Sequence, residues 1–276
     1  MKAVVVGSGA WGTALSLRLC KNGHEVILWS FDPKEAAQMQ ENRENPMLPG
    51  VKLPAELEIS TDIACVAGRR LVVMASPSFA VRQVSRNVAP HLDENAVVVS
   101  VAKGIEATTQ LRMSQVIEQE TGKTVVALTG PSHAEEVGRG LPTGCLAACA
   151  DKKLAEIVQD AFMSDVFRIY TSPDIVGAEL GGALKNVIAM CTGVTDGLGY
   201  GDNCMAMLVT RGMAEMARLG VAMGANRDTF AGLAGVGDLI VTCTSPHSRN
   251  RRAGILIGQG KTPDEARQQI GAVVEG

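Results

Sequence analysis

Aromatic side chains are almost missing from this chain: Phe, Trp and Tyr together make up 3% of its 276 residues. A nucleic-acid surface built on base stacking needs them, and a net charge of −3 from 26 basic and 29 acidic residues gives no global attraction to a polyanion. Histidine is equally scarce, with four residues never at the i, i+4 spacing of a helical metal site. The seven cysteines form no CxxC pair and are odd in number, which argues against a secreted disulfide framework and for reduced thiols in a cytosol. The nearest pair, Cys145 and Cys149, falls on one face of an expected strand. No Ser/His/Asp or Cys/His grouping offers a covalent nucleophile. The apolar start is too short for a signal sequence, and no run reads as long enough to span a membrane. The expectation is a cytoplasmic protein with no nucleic-acid partner and no membrane insertion.

Aliphatic residues dominate instead. With 46% hydrophobic residues the core is built from Ala, Val, Leu, Ile and Met, and the length points to two domains. Strand-like runs at residues 3–6, 25–29, 70–75, 96–101, 124–128, 145–149 and 166–170 alternate with helical stretches at 33–42, 80–88, 110–119, 133–137 and 152–162. That alternation predicts a mostly parallel, doubly wound α/β sheet over residues 1–172. Beyond Pro173 the β-branched runs thin out and helical spacing takes over, predicting an all-α domain over 173–276.

Chemistry is expected where strands end. Gly7, Gly9 and Gly12 complete a GxGxxG turn between the first strand run and an expected amphipathic helix over 13–22 that carries Arg18 and Lys21. Such glycines permit a tight turn, close backbone approach to a pyrophosphate and helix-on-strand packing, so a dinucleotide is the predicted ligand. Lys103 follows the run ending at Val101. Gly130, Ser132 and His133 form a turn into a short helix. Further on, Gly177, Gly181 and Lys185 share one helical face, which reads equally as a ligand-lining surface or as small-residue helix packing with a snorkelling lysine. Arg249, Arg251 and Arg252 with Ser248 and Asn250 make either a solvated face or a site for a single phosphate.

In order along the chain, GSGAWGTA at 7–14, SVAKG at 100–104, TGPSHAEE at 129–136, ELGGALKNVIA at 179–189, GVGDLIVTCTS at 235–245 and SRNRR at 248–252 resemble bacterial NAD(P)-dependent glycerol-3-phosphate dehydrogenase. The resemblance implies a Rossmann-like domain followed by a helical substrate domain, and reduction of dihydroxyacetone phosphate to sn-glycerol 3-phosphate for phospholipid synthesis. It implies Lys185 as general acid/base, with Lys103 between cofactor and substrate. The substrate is expected at Lys103, Gly130, Ser132, Lys185, Asn186, Asp238, Thr242, Ser248, Arg249 and Asn250. The cofactor is expected at Gly7, Gly9, Ala10, Trp11, Gly12, Phe31, Lys103, Ala134, Arg249, Val273 and Glu275. No metal is implied. Ser30 stands where a ribose-binding acid usually falls, so NADPH is preferred over NADH, with Lys34 or Arg249 as partners for a 2′-phosphate. The family continues past the position of Gly276, which makes a truncated helical domain the expectation. Met- and Leu-rich helical surfaces suit a homodimer. The β-hydroxyacid dehydrogenases share the domain plan, but the asparagine four residues after their lysine is Ala189 here. A nicotinamide-responsive regulator without catalysis is the other alternative, and it would not need Lys103, Lys185, Asp238 and Arg249 together.

Overall fold

The computed structural model describes residues 1–271 and 273–276. Its strands are β1 Lys2–Val6, β2 Glu25–Trp29, β3 Glu58–Ser60, β4 Leu71–Met74, β5 Val97–Ser100, β6 Val125–Thr129, β7 Thr143–Ala148 and β8 Phe167–Ser172. The helices are α1 Ala10–Lys21, α2 Pro33–Asn42, α3 Val81–Val88, α4 Met113–Thr121, α5 Ala134–Arg139, α6 Lys152–Phe162, α7 Ile175–Gly197, α8 Gly201–Ala222, α9 Arg227–Phe230, α10 Asp238–Thr244, α11 Arg249–Gly258 and α12 Pro263–Ile270. By packing, the chain forms two compact units. One comprises Met1–Leu128 with Ser132–Pro173, and the other Thr129–Pro131 with Asp174–Gly276.

In the first unit the eight strands lie in the order β3-β2-β1-β4-β5-β6-β7-β8. β1 pairs in parallel with both β2 and β4. The chain therefore winds outward one way from β1 to β3 and returns to wind the other way from β4, which places a topological switch beside β1. Successive residues of the strands alternate between two cores. Val5, Leu28 and Val73 join Leu15 of α1, Met39 of α2 and Val158 of α6. Val4, Ile27 and Val72 join Val81 of α3 and Ile117 of α4. Both faces of the sheet are thus covered, as its continuous β-branched strands require.

Two sequence expectations are corrected here. α1 is not amphipathic: it begins at Ala10, and every residue from Gly12 to Cys20 is buried, Arg18 included. The strand β3 went unread because three residues, Glu58, Ile59 and Ser60, carry too little periodic pattern; pairing with β2 defines it.

The second unit is helical. α7 is long and apolar enough to cross a membrane by length and composition, with 23 residues and a mean hydropathy of 1.2 over its window. The expectation that no segment reaches that size is therefore corrected, but 56% of the window is buried within the protein, and the helix contains buried Glu179 and Lys185. Small residues bring it close to α11: a side chain at Gly193 would strike the Arg251 carbonyl, and one at Gly254 the Met190 carbonyl. At its start, Asp174 accepts hydrogen bonds from the Gly177 amide at 2.9 Å, the Asn226 amide at 2.9 Å and the Thr229 hydroxyl at 2.6 Å. One carboxylate thereby caps α7 and fixes residues 226–229 against it.

Candidate active site

The glycine turn occupies the switch point at the carboxyl end of β1. Gly7 has φ +127°, and a Cβ there would lie 2.7 Å from the Ala75 carbonyl oxygen at the end of β4, so only glycine fits. Gly9, by contrast, has nothing within 4 Å of where its Cβ would be, and it begins α1 with no side-chain cap. Open space above a helix N-terminus that lacks both a capping side chain and an acid in its first turn suits a pyrophosphate. At the carboxyl ends of the neighbouring strands, the buried hydroxyls of Ser76 and Ser100 have no hydrogen-bond partner among the described residues, leaving polar capacity for a ligand. These features fit a dinucleotide.

The turn has a support that sequence reasoning missed. Asn45, buried, donates from Nδ2 to the Ser8 carbonyl at 2.7 Å and to the Thr13 hydroxyl at 2.6 Å. Pro46 after it restricts Asn45 to extended backbone, but nothing in the sequence shows that its side chain reaches back across 37 positions. Ser30 is fully buried and accepts from the Ser8 hydroxyl at 2.8 Å, so it braces the turn from β2. Asp32 caps α2 by accepting from the Lys34 amide at 2.8 Å. Phe31 between them is 84% exposed, an aromatic face at the carboxyl end of β2. Lys103 lies in the loop after β5, half-buried; Gly104 beside it packs so tightly on Ser78 that a Cβ would lie 2.7 Å from the serine's own. Ser132 is half-buried, as is Ala134, the first residue of α5.

The second unit gathers the acid/base group. Gly177, Gly181 and Lys185 do share a face of α7, and it is packed rather than open: a side chain at Gly177 would reach Thr229, and one at Gly181 would strike the Ala234 carbonyl. Residues 229–235 fill the groove up to Lys185, whose Nζ then meets the Asp238 carboxylate and donates to the Thr242 hydroxyl at 2.6 Å. For the two glycines the small-residue packing alternative holds. Asp238 is entirely buried, while the Lys185 side chain keeps 8% of its surface. Thr242, one turn along α10, gives its own hydrogen to the Asp238 carbonyl at 2.6 Å, so its oxygen is turned to accept from the lysine. A π-helical turn over Leu233–Gly237 delivers Asp238 to this point. Gly130, at φ +145°, begins a segment whose Pro131 ring lies 3.7 Å from where a Gly237 Cβ would be.

The arginine cluster divides. Arg251 pairs with Asp196 at 2.6 Å, whereas Arg249 and Arg252 are exposed. Ser248 caps α11 by accepting from the Arg251 amide at 3.2 Å. Asn250 is buried, and its Oδ1 accepts from the amides of Glu275 at 3.1 Å and Gly276 at 2.9 Å. Asn186, next to Lys185, donates to the Glu275 carboxylate at 3.3 Å. Glu275 thus lies beside two of the expected substrate residues, and Val273 is exposed two positions earlier. Four of the seven thiols are held in the poorly nucleophilic protonated form. Burial pushes Cys20 up to about 11, with help from the Glu56 charge, and also raises Cys65, Cys149 and Cys243.

Comparison with known proteins agrees with this arrangement. Residues 2–155 match the family model described as NAD-dependent glycerol-3-phosphate dehydrogenase N-terminus, and residues 174–276 match that of its C-terminus. The glycerol-3-phosphate dehydrogenase [NAD(P)+] of Pelotomaculum thermopropionicum is 55% identical over 281 residues, an alignment covering 100% of this chain and 80% of the relative. That of Moorella thermoacetica is 55% identical over 99% of this chain and 82% of its own length. The crystal structure of glycerol-3-phosphate dehydrogenase from Coxiella burnetii superposes with a TM-score of 0.96 at 36% identity, covering 100% of this chain and 85% of that one. With a dinucleotide turn in one unit, a buried lysine–aspartate pair in the other and both halves matched, this chain belongs to the NAD-dependent glycerol-3-phosphate dehydrogenase family.

Proposed function

We propose that this oxidoreductase reduces the C2 carbonyl of dihydroxyacetone phosphate to sn-glycerol 3-phosphate with Lys185 as the proton donor. The carrying observation is the Lys185, Asp238 and Thr242 cluster: a buried ammonium held by two acceptors, the lysine side chain keeping 8% of its surface while its aspartate partner keeps none. Reduced nicotinamide, when bound at the glycine turn, supplies the hydride to the carbonyl carbon. The carbonyl π electrons then become a lone pair on oxygen, and the Lys185 ammonium stabilises that charge and gives up a proton to complete the alcohol. Asp238, with no exposed surface, acts through Lys185: it compensates the ammonium and fixes its position. Thr242 orients the same nitrogen.

For the phosphate we assign exposed Arg249 with Ser248 and Asn250 at the start of α11, where amide groups and a guanidinium favour an anion. Asn250 is fixed because its oxygen is already committed to residues 275 and 276, which leaves its amide hydrogens for substrate. Asn186, Gly130, Ser132 and Lys103 complete the proposed substrate set. Gly7, Gly9, Ala10, Trp11, Gly12, Phe31, Ala134, Val273 and Glu275 form the proposed cofactor set. Ser30, at the end of β2, is hydrogen-bonded and uncharged, so it does not repel a 2′-phosphate; NADPH is the preferred donor. A cytoplasmic role in supplying glycerol 3-phosphate for phospholipid synthesis follows from that reaction.

The test compares dihydroxyacetone phosphate with unphosphorylated dihydroxyacetone in the wild type and in Arg249→Ala. The substitution is expected to lower kcat/KM for the phosphorylated ketone at least 100-fold while leaving the slow reaction of the other nearly unchanged. Equal losses on both ketones would remove Arg249 from phosphate binding.

A further inference from the structure

The far half of α1 carries a guanidinium that the dinucleotide turn does not explain. Arg18 is 3% exposed, and its Nε and Nη2 are buried without a hydrogen-bond partner. Burial lowers its pKa, a cost that no carboxylate offsets among the described residues. Its head lies beside Gly140, the left-handed residue that ends α5. A Cβ there would lie 3.5 Å from Arg18 Nη1 and 3.9 Å from Lys21 Nζ, so two cations converge on one point. The carbonyls at the end of α5 attract positive charge, yet they give the guanidinium no hydrogen bond. Two of its nitrogens thus have no acceptor among the described residues.

Lys21, the second of these cations, also lines a cavity of about 550 Å³, and the Arg18 guanidinium lies behind that wall rather than in it. Lys21 of α1 and Arg139 of α5 stand in its wall, both exposed and in no ion pair among the described residues. Lys52 also lines it but is committed to Glu44 at 3.0 Å, and the one acid in the wall is Glu56. The opposite side is apolar, with Leu17, Val51, Leu53 and Pro54. We propose that this cavity binds a small phosphate monoester with an apolar substituent, its phosphate taken by Lys21 and Arg139 with the buried Arg18 charge behind them, and its substituent laid on residues 51–54. A guanidinium and an ammonium provide five and three donors, which suits the oxygens of a phosphate group.

The site is distinct from the dinucleotide turn, lying about 10–16 Å along α1 from Ala10 at 1.5 Å per residue. The two are mechanically joined. Leu48 packs on Gly138 in the cavity wall, 3.0 Å from where its Cβ would be, and three residues earlier Asn45 holds the glycine turn. Occupation of the cavity therefore changes cofactor affinity, and cofactor changes affinity for the ester by the same factor.

Phenyl phosphate is the probe. Calorimetric titration into the full chain carrying Arg249→Ala, which disables the proposed substrate phosphate position, should show saturable binding. Adding the surface pair Lys21→Glu and Arg139→Glu should weaken it at least tenfold without loss of thermal stability, and Arg18→Met should do the same where it folds. In the otherwise wild-type chain, saturating probe should shift the NADPH dissociation constant at least threefold, and the surface pair should abolish that shift. No saturable heat, or equal affinity in the surface-pair variant, would overturn the site. An unshifted NADPH constant would overturn the coupling.

Discussion

At the scale of single residues, the charges and amides that matter are buried, and each has a partner that explains its burial. Asp238 has no exposed surface and its carboxylate is matched by Lys185. Removing one member of such a pair strands the other, so Lys185→Met and Asp238→Ala should each cost about 3–5 kcal/mol in urea unfolding, and the double variant Lys185→Met with Asp238→Leu much less. Additive losses would contradict a coupled pair. Thr242→Val removes one of the two acceptors that orient the lysine. Its kcat should fall about tenfold with little change in KM, the signature of lost positioning rather than lost binding. Asn45 makes its contribution through the cofactor. Asn45→Ala removes one donor each from the Ser8 carbonyl and the Thr13 hydroxyl, and NADPH binding measured by fluorescence should weaken about tenfold, close to the worth of two neutral hydrogen bonds.

At the scale of elements, close approach and one ion-pair cluster do most of the positioning. Gly181→Val would push α7 away from the Ala234 carbonyl and move Lys185 relative to Asp238, one turn further along the same contact. Activity should be lost before the fold is, and circular dichroism together with kcat distinguishes the two. The loop that carries Lys103 is held by Arg82 of α3, which donates to Glu106 at 2.8 and 2.6 Å and also reaches Glu120 on α4. Hydrogen bonds from Arg82 and Thr109 hold the Glu106 carboxyl down from 4.5 to about 2. A carboxylate whose folded pKa is depressed contributes stability that is complete above about pH 4.5 and disappears as pH falls toward 2. Arg82→Ala should therefore lower the melting temperature at pH 7, and the gap from wild type should close between pH 4.5 and pH 2. A gap independent of pH would assign Arg82 only a packing role.

At the scale of the whole molecule, much of the fold was legible because its signals are local. β-branched runs, the Gly7 to Gly12 turn and the change of texture after Pro173 all sit within a few residues of what they specify. β3 escaped because three residues cannot show a period, and α1 was misread because Arg18, a charged residue, is buried. The candidate site was legible by resemblance at Lys185, Asp238 and Thr242. The filling of the Gly181 groove by residues 229–235, the bracing of Ser8 by Ser30 and Asn45, and the hold of Asn250 on residues 275 and 276 were not. Each depends on a side chain meeting backbone tens of residues away, where no spacing rule reaches. The chain spans about four fifths of the length of the relatives it matches.

The central claim is that Lys185 supplies the proton for carbonyl reduction, and the most direct measurement is NADPH oxidation with dihydroxyacetone phosphate by the wild type and by Lys185→Ala, with NADPH affinity measured on both proteins. Turnover by the wild type is expected, with a loss of at least 1,000-fold in the variant and cofactor affinities within a factor of two. Turnover within tenfold of wild type in Lys185→Ala would contradict the claim.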